Sequence, residues 1–405
     1  MLYPLKYQGV VPASKSLMNR ALIVKTFFPQ LSLLGQSQCD DVTKMIESVK
    51  NFGTDSIYDC GAAGTVLRFL AFRVSREPGL HILRGTPRLL SRPQKDLIEM
   101  LSHLGVRVDS YSDHLRILSQ GWKYNENGIS VNRSKSSQFA SGLLLSSWNL
   151  PMDLKIQLDA GGVSEGYWEM TVELVKDLGM KLVEKENLII VPKNSQPNTA
   201  EYRVESDLSS AFALAALAAL NGQAKFENYP FKSLQPDQVF VDILKKMQVS
   251  VQEDQKLNLL SIQQTKNLHG VEVDLLNSPD LFPVLGTLCA FANSASTLKG
   301  APHLVYKESD RLKKTAELVE YLGCKYELMS DGMKIFPNEN SGWKRLQSNP
   351  TTLTYDTDHD HRLAFAAALI RSVGFPIRIL HPEVVNKSFP EFWEAIQQTD
   401  VYTSK

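Results

Sequence analysis

The chain has 405 residues, of which 43% are apolar, and its 44 lysines and arginines balance 44 aspartates and glutamates. A zero formal charge provides no basic surface for nucleic acid, and the apolar content is too high for an intrinsically disordered chain. Four distant cysteines without metal-ligand spacing indicate free thiols in a reducing compartment. Since no apolar run reaches about 18 residues and residues 1–9 do not resemble a secretory signal, we expect a cytoplasmic protein without membrane or nucleic-acid partners.

A polar helix that ends in an apolar pair, a glycine and an alternating strand recurs along the chain. The copies read LIEMLSHLGVRV from Leu97, VELVKDLGMKLV from Val172, DILKKMQVSVQ from Asp242 and AELVEYLGCKYEL from Ala316. Glycine after the last apolar helical position suits a left-handed helix end, and Gln248 replaces it in the third copy. The repeat predicts successive α/β units of similar length.

A second series of segments, almost wholly apolar and rich in small residues, alternates with the first. They are SKSLMNRALIV from Ser14, GTVLRFLAF from Gly64, SSQFASGLLLSS from Ser136, SSAFALAALAAL from Ser209, DLFPVLGTLCAFA from Asp280 and DHRLAFAAALI from Asp360. A helix that is apolar on every side must be buried. Each unit should therefore contain a buried inner helix, an amphipathic outer helix and short strands between them.

Three such units followed by three more predict two similar α/β domains, with a crossing near residues 203–207. Every inner helix is expected to start at a Ser, Thr or Asp that caps free backbone N–H groups. If the helices of one half run parallel, their N-termini form a face suited to anions. The alternative is that these residues are ordinary N-caps with no further role.

Cationic residues cluster at the same helix starts and in nearby loops. They are Lys15, Arg20, Arg92, Lys307, Arg311, Arg362 and Lys387. A charge within so apolar a helix needs either an internal carboxylate or an anionic ligand. The internal candidates are Glu308, Asp310, Asp207 and the pair Asp40–Asp41. An ion pair would explain one arginine, whereas seven cations favour small ligands that carry phosphate and carboxylate groups.

Three other motifs do not carry the function that they suggest. GAAGT at 61–65 is not a dinucleotide fingerprint, and GVSEGYW at 162–168 lacks the pattern of a serine hydrolase. DTDHDHR at 356–362 alternates Asp and His as some metal sites do, but no second His-rich segment accompanies it. Asp360 suits a helix cap instead, so no metal site is expected.

Nine segments occur in order along nearly the whole chain: PASKSLMNRAL, GAAGTVLRFLA, GTPRLLSRP, SSQFASGLLLSS, VESDLSSAFALAA, SPDLFPVLGTLCAFA, KESDRL, DHDHRLAFAAAL and NKSFPEFW. Together they resemble the 5-enolpyruvylshikimate-3-phosphate synthase family. The resemblance implies a domain of residues 13–204 and a second of residues 1–12 with 205–405. Each would hold three βαβαββ-type repeats around buried parallel helices, an inside-out α/β barrel, with a cleft between the domains.

The resemblance also implies an activity in aromatic amino acid biosynthesis by the shikimate pathway. The enolpyruvyl group of phosphoenolpyruvate would pass to the 5-hydroxyl of shikimate 3-phosphate, with release of phosphate. Both substrates carry a phosphate and a carboxylate, which fits the number of cations. No metal or organic cofactor is implied, and a monomer is expected.

Matching motif positions give the implied site residues. Shikimate 3-phosphate would be bound by Lys15, Ser16, Arg20, Ser136, Ser137, Gln138, Ser164, Asp280 and Lys307, with Tyr167 beside its phosphate. Phosphoenolpyruvate would be bound by Lys15, Gly64, Arg92, Gln138, Arg311, Arg362 and Lys387. The catalytic residues would be Asp280 as the base and Glu308 with Lys15 as the acid system. The motifs do not say which of Glu308 and Lys15 delivers the proton.

The sequence departs from the family pattern at four positions. Ala62 replaces a usual Asn, His303 and Val305 replace a polar residue and an Arg, and Phe69 replaces a frequent Pro. These changes bear on the expected substrate affinity more than on the resemblance to the family. Gly64 keeps the small residue beside the phosphoenolpyruvate position, so the hypothesis is that glyphosate inhibits the enzyme.

Two alternatives remain open at this level. UDP-N-acetylglucosamine enolpyruvyl transferase shares the fold and the donor, but its acid is a Cys in the loop aligned with 84–93, where this chain has none. Lys15–Ser16 also replaces its Lys-Asn pair. The second alternative is a catalytically silent paralogue that only binds phosphorylated ligands, which the departures at Ala62, His303 and Val305 suggest.

Overall fold

The computed structural model describes residues 4–54, 56–159, 161–337 and 340–397. Its strands are β1 Leu5–Gly9, β2 Ser32–Leu34, β3 Ile57–Asp59, β4 Gly79–Arg84, β5 Arg107–Ser110, β6 His114–Ser119, β7 Ile129–Val131, β8 Leu154–Leu158, β9 Val183–Lys185, β10 Leu188–Val191, β11 Glu201–Arg203, β12 Gly222–Phe226, β13 Ser250–Asp254, β14 Leu259–Gln263, β15 Glu272–Asp274, β16 Ser296–Lys299, β17 Lys325–Met329, β18 Gly332–Phe336, β19 Leu353–Asp356 and β20 Ile377–Leu380.

Helices alternate with these strands along the chain. They are α1 Lys15–Lys25, α2 Asp40–Lys50, α3 Gly64–Val74, α4 Pro87–Ser91, α5 Lys95–His103, α6 Gln138–Leu145, α7 Glu165–Asp177, α8 Leu208–Asn221, α9 Phe240–Lys246, α10 Phe282–Cys289, α11 Arg311–Tyr321, α12 Gly342–Gln347, α13 His361–Ser372 and α14 Phe392–Ala395. Short 3₁₀ turns occur at Pro236–Val239, Pro279–Leu281, Pro302–Tyr306 and Pro382–Lys387.

Contacts within the chain divide it into two compact units. The N-terminal unit comprises residues 13–204, and the C-terminal unit comprises the residues up to 12 together with those from 205 onward. Each unit has two four-stranded sheets and one two-stranded sheet. The strand orders are β3-β4-β6-β5, β7-β8-β10-β9 and β2-β11 in the first unit, and β1-β12-β14-β13, β15-β16-β18-β17 and β19-β20 in the second.

The sheets repeat one hydrogen-bonding pattern. In each four-stranded sheet the first two strands are parallel, and the remaining pairs are antiparallel. Both two-stranded sheets are parallel. A parallel pair needs a crossover, and an inner helix supplies it, as α3 does between β3 and β4. The predicted α/β repeat is confirmed by this regularity.

The inner helices α1, α3, α6, α8, α10 and α13 form the two cores. Every residue of α8 from Leu208 to Leu220 is buried, and in α3 only Thr65 is not. Each buried Leu, Ile or Phe side chain stabilises the fold by about 1.5–3 kcal/mol. Close packing also requires small residues, since a Cβ on Gly142 of α6 would lie 2.6 Å from Phe72 of α3.

The predicted helix ends of the outer series are also present. Gly105, Gly179 and Gly323 follow α5, α7 and α11 with φ of 74°, 108° and 79°. Gln248 follows α9 with φ of 63°, so it adopts the same left-handed conformation without being glycine. A side chain in this region is strained.

The expectation that a Ser, Thr or Asp caps every inner helix is right for three helices. Ser14 accepts from Leu17 N at 3.5 Å at the start of α1. Asp207 caps α8 and Asp360 caps α13 in the same way, with bonds of 2.8 and 3.0 Å.

The capping expectation is wrong for α3 and α10. In α6 the side chain of Ser137 makes no cap hydrogen bond, but Ser136 Oγ accepts from Gln138 N, the first N–H of the helix. Ala63 precedes α3. Leu281 precedes α10 because the turn Pro279–Leu281 leads into that helix. A residue that the sequence predicts as a helix cap can therefore have another role. Asp280 accepts hydrogen bonds from Arg311 and Arg362 instead of from the first turn of α10.

Three further observations concern the described part of the chain. No helix in it is long and apolar enough to cross a membrane. No group of three His, Cys, Asp or Glu residues within it could hold a metal ion. The cysteines are buried free thiols, and burial raises the pKa of Cys39 to about 11 and that of Cys289 to about 12, so neither is reactive.

Candidate active site

The C-terminal unit brings its predicted charged residues together at the starts of α10, α11 and α13. We use the name ionic cluster for Asp280, Lys307, Glu308, Arg311, Asp360, Arg362 and Lys387. α10 and α13 begin where apolar runs begin, and Arg311 at the start of the polar helix α11 is itself buried, so buried neighbours fix these side chains.

Arg311 lies at the centre of the ionic cluster, and its side chain is only 1% exposed. Its Nη1 donates to Asp280 Oδ1 at 2.7 Å, and its Nε donates to Asp360 Oδ2 at 2.7 Å. Its Nη2 donates to Glu308 Oε2 at 3.1 Å. Burial alone would lower the pKa of Arg311, but the three carboxylates raise it well above its ordinary value. One guanidinium therefore orients three acids.

Asp280 contacts two further cations. Its Oδ2 accepts from Arg362 Nη2 at 3.3 Å, and its Oδ1 lies 3.7 Å from Lys307 Nζ. Burial alone would raise the pKa of Asp280, but the fields of Arg311, Lys307 and Arg362 hold it well below its ordinary range. Asp280 is therefore ionised at neutral pH and can accept a proton.

Glu308 joins the last cation to the ionic cluster, since its Oε1 lies 3.4 Å from Lys387 Nζ. Four cations and three carboxylates leave one net positive charge. A multiply charged anion is attracted to such a site, and its oxygens compete with the carboxylates for the same donors.

Internal carboxylates, the alternative to an anionic ligand, therefore contact several of the predicted cations. Glu308 is a partner, as proposed from the sequence, whereas Asp310 accepts from Lys313 N at 3.1 Å as the cap of α11. Asp360 belongs to the DTDHDHR motif, where it binds Arg311 and caps α13. These contacts account for the last of the motif's three acids.

His303 lies beside the ionic cluster and is 4% exposed. Burial first, and then the field of Lys307, lower the pKa of His303 to about 3. The imidazole is thus neutral at physiological pH, so this departure from the family pattern adds a polar group but no charge. Val305 is 43% exposed.

In the N-terminal unit, Lys15 is paired with Asp41. Lys15 Nζ lies 3.2 Å from Asp41 Oδ2, and both side chains are buried. Lys15 is the first residue of α1, where the helix dipole disfavours a cation. The carboxylate from α2 compensates for this, and it is one of the two acids proposed from the sequence.

Arg20 is buried and donates hydrogen bonds to three neutral oxygens. Its Nε donates to Thr171 Oγ1 at 2.7 Å, and its other nitrogens donate to the carbonyl oxygens of Ser16 and Tyr167. The guanidinium lies 5.2 Å from the ring centre of Phe69. Burial lowers the pKa of Arg20 to about 10, so it remains a cation at neutral pH. Phe69 thus packs beneath a buried charge.

Arg68 of α3 is a candidate that the sequence argument missed. Its Nη1 donates to Gln138 Oε1 at 2.8 Å and lies 3.4 Å from Ser136 Oγ. Its Nη2 donates to the carbonyl oxygen of Pro93 at 3.4 Å, next to Arg92. Arg68 therefore orients Gln138 and adjoins the loop that carries Arg92.

Gly64 and Arg92 are in close contact. A Cβ on Gly64, the first residue of α3, would lie 2.9 Å from Arg92 Nη1. The missing side chain lets the guanidinium approach the start of the helix. Ala62 is exposed in the turn before it.

The three predicted phosphate serines lie at the starts of two helices that pack together, α6 and α7. Ser137 and Ser164 are buried, and Ser136 Oγ accepts from Gln138 N at 3.2 Å. Ser164 has φ of 54°, an unusual value for a residue with a side chain. Such strain is frequent at binding sites.

In the C-terminal unit the predicted charged residues lie in one cluster, whereas in the N-terminal unit the predicted residues make separate contacts. Arg68, Asp41 and Asp360 are contacting side chains that had not been assigned to the site. A signal for Arg68 was present, because it is a charge within the apolar segment GTVLRFLAF. Nothing in the sequence indicated which carboxylate each cation would contact.

The comparisons with known proteins agree with this geometry. The sequence profile described as EPSP synthase (3-phosphoshikimate 1-carboxyvinyltransferase) matches residues 24–396. A protein named 3-phosphoshikimate 1-carboxyvinyltransferase from Methanosphaerula palustris is 32% identical, with 97% of this chain and 96% of that protein covered. One of the same name from Bacteroides fragilis is 30% identical, with 96% and 94% covered.

Solved structures show the fold. The EPSP synthase from Acinetobacter baumannii superposes with a TM-score of 0.72 at 20% identity, covering 98% of this chain and 97% of that one. The enolpyruvyl transferase NikO from Streptomyces tendae gives 0.69 at 14% identity, with 98% and 95% covered. The fold is thus shared by different enolpyruvyl transferases, whereas the sequence match is specific. This chain belongs to the EPSP synthase (3-phosphoshikimate 1-carboxyvinyltransferase) family.

Proposed function

We propose that the protein transfers the enolpyruvyl group of phosphoenolpyruvate to the 5-hydroxyl of shikimate 3-phosphate and releases phosphate. The observation that carries this proposal is the ionic cluster, in which a partly exposed, ionised Asp280 is surrounded by Arg311, Arg362 and Lys307. A base among cations suits a reaction in which an alcohol is deprotonated next to an anionic partner.

In the first step, the 5-oxygen of shikimate 3-phosphate bonds to C2 of phosphoenolpyruvate. Asp280 takes the hydroxyl proton, and C3 gains a proton from Glu308 or Lys15. An anionic substrate that draws Arg311 or Arg362 away from Asp280 raises the pKa of this acid, and so strengthens it as a base.

In the second step, phosphate leaves C2 of the tetrahedral adduct and takes the proton held by Asp280. A proton from the new methyl group returns to Glu308 or Lys15, whichever donated it, which restores the double bond. Arg311, Arg362 and Lys387 stabilise charge on the departing phosphate without bonding to carbon. Phosphoenolpyruvate would also meet Arg92 and Gln138.

The N-terminal unit offers groups that suit shikimate 3-phosphate. Arg20, which donates to three neutral oxygens, is the proposed partner of the shikimate carboxylate, together with Ser16. Ser136, Ser137 and Ser164 are the proposed donors to the phosphate, since helix starts bind anions well.

The test is phosphate release by purified protein supplied with phosphoenolpyruvate and shikimate 3-phosphate. Turnover with both substrates, and with neither alone, is the expected result. Turnover that requires a UDP sugar instead would identify the sister transferase. Binding of both ligands without phosphate release would identify the silent paralogue.

Three finer statements accompany the proposal. The protein acts as a monomer in the cytoplasm, and glyphosate competes with phosphoenolpyruvate near Gly64. Light scattering during turnover checks the first statement, and fractionation of the source cells checks the second. Full activity at millimolar glyphosate would contradict the third.

A further inference from the structure

A single ion pair joins the two loops that carry the proposed phosphate ligands. The first loop, residues 132–137, ends in Ser136 and Ser137, and the second loop ends in Ser164. Arg133 of the first loop contacts Glu165, the first residue of α7. Neither residue has a role in the mechanism above.

Arg133 is attached to the second loop at several points. Its side chain is 6% exposed, and its Nη1 contacts both carboxylate oxygens of Glu165. Its Nη2 donates to the carbonyl oxygen of Asp159 at 3.1 Å, and its own carbonyl oxygen accepts from Val163 N at 3.1 Å. The contacts therefore lie at the beginning of the second loop and on both sides of Ser164.

Gly162 leaves the space that this arrangement needs. A Cβ there would lie 3.0 Å from Arg133 Cβ, and 3.1 Å from both Arg133 Cζ and Glu165 Oε2. A side chain at this position would require Arg133 and Glu165 to shift by a few tenths of an ångström.

Ser164, at the start of α7, has a left-handed backbone conformation, with φ of 54°. A left-handed non-glycine residue persists only where its surroundings hold it. The Val163 hydrogen bond before it and the Glu165 ion pair after it are such constraints.

We propose that Arg133 and Glu165 are positioning residues that hold the hydroxyl of Ser164 in register with those of Ser136 and Ser137, so that the three donors converge on one phosphate group. The inference rests on the proposed function, because it takes these serines as ligands of shikimate 3-phosphate. Positioning of this kind matters because a displacement of about 1 Å can weaken a site about a hundredfold.

The test compares Arg133→Gln and Glu165→Gln with the parent enzyme in steady-state kinetics. In each variant the KM for shikimate 3-phosphate should rise about ten- to a hundredfold, whereas the KM for phosphoenolpyruvate and kcat stay within about threefold. The double variant Arg133→Glu with Glu165→Arg should recover most of the loss. Glu184→Gln, which breaks the pair between Lys176 of the same helix and Glu184 of β9, is the matched control and should change neither KM.

A purely structural role gives a different result. It would lower the melting temperature and the active fraction, and hence apparent kcat, at an unchanged KM for shikimate 3-phosphate, and this outcome overturns the inference. Titration of shikimate 3-phosphate by tryptophan fluorescence gives the affinity independently of turnover. If the Gln variants do not fold, Arg133→Lys and Glu165→Asp keep the charges with a shorter reach, and an unchanged affinity in both also overturns it. Absence of turnover by the parent enzyme would instead count against the proposed function.

Discussion

The two units satisfy their buried arginines in different ways. In the C-terminal unit Arg311 contacts three carboxylates, whereas in the N-terminal unit Arg20 donates to a hydroxyl and two carbonyl oxygens. Carboxylates raise the pKa of Arg311, and burial lowers that of Arg20. An anion must displace an acid to reach the first guanidinium, while the second contacts neutral oxygens and the ring of Phe69. The first arrangement suits a reacting group, and the second suits simple binding.

Removing the Asp280 carboxylate from the ionic cluster has the largest expected effect. Asp280→Asn should lower kcat about a thousandfold, because the base is lost. Stopped-flow phosphate release measures the change. Asp310→Asn, which affects only the cap of α11, is the control and should keep most of the activity. Equal losses in the two variants would show that Asp280 acts through the fold.

Changing Arg20, which donates to neutral oxygens, tests the N-terminal unit's side of the comparison. Arg20→Lys should raise the KM for shikimate 3-phosphate about ten- to a hundredfold, because an ammonium cannot reproduce three directed N–H bonds together with a carboxylate contact. The KM for phosphoenolpyruvate should change little. An effect mainly on kcat would remove the distinction between a binding and a reacting arginine.

A smaller effect is expected at Gly64, where the start of α3 meets the guanidinium of Arg92. In Gly64→Ala the new methyl group would lie 2.9 Å from Arg92 Nη1, so the guanidinium must move. The KM for phosphoenolpyruvate should rise about tenfold, with the KM for shikimate 3-phosphate unchanged. The glyphosate concentration for half inhibition should rise as well, and a decrease would contradict the proposed contact.

The smallest effect concerns stability alone. The C-terminal unit has Gln248 where the equivalent helix ends of the N-terminal unit have left-handed glycines. Gln248→Gly should raise the free energy of unfolding by about 1 kcal/mol, because it removes backbone strain. Urea denaturation measures the change, and kcat should not move. A loss of stability would mean that flexibility gained by the unfolded chain outweighs the strain.

The six inner helices could be predicted because burial on all sides is a property of composition, legible in a segment such as SSAFALAALAAL. The left-handed residue after α9 could also be found, since Gln248 takes the place of glycine in a repeat. The grouping of cations followed from their positions at helix starts together with the family motifs.

The ion-pair partners could not be predicted. Arg311 and Asp360 are 49 residues apart, and Arg68 and Gln138 are 70 apart. Several carboxylates are equally plausible partners for any one cation, and packing chooses among them. The cap of α10 failed for the same reason, since Asp280 makes contacts with arginines instead of its own helix.

The pairing of β1 with β12 has a consequence for biogenesis. Leu5–Gly9 lies in register with Gly222–Phe226, so β1 leaves the ribosome and must wait for β12, which is made only after residues 13–204. Meanwhile residues 13–204 contain all the strands of their own sheets and can collapse first. A fragment that starts at residue 205 would expose the edge of β12, an open template for intermolecular pairing. Adding the first twelve residues as a separate peptide should therefore restore its solubility.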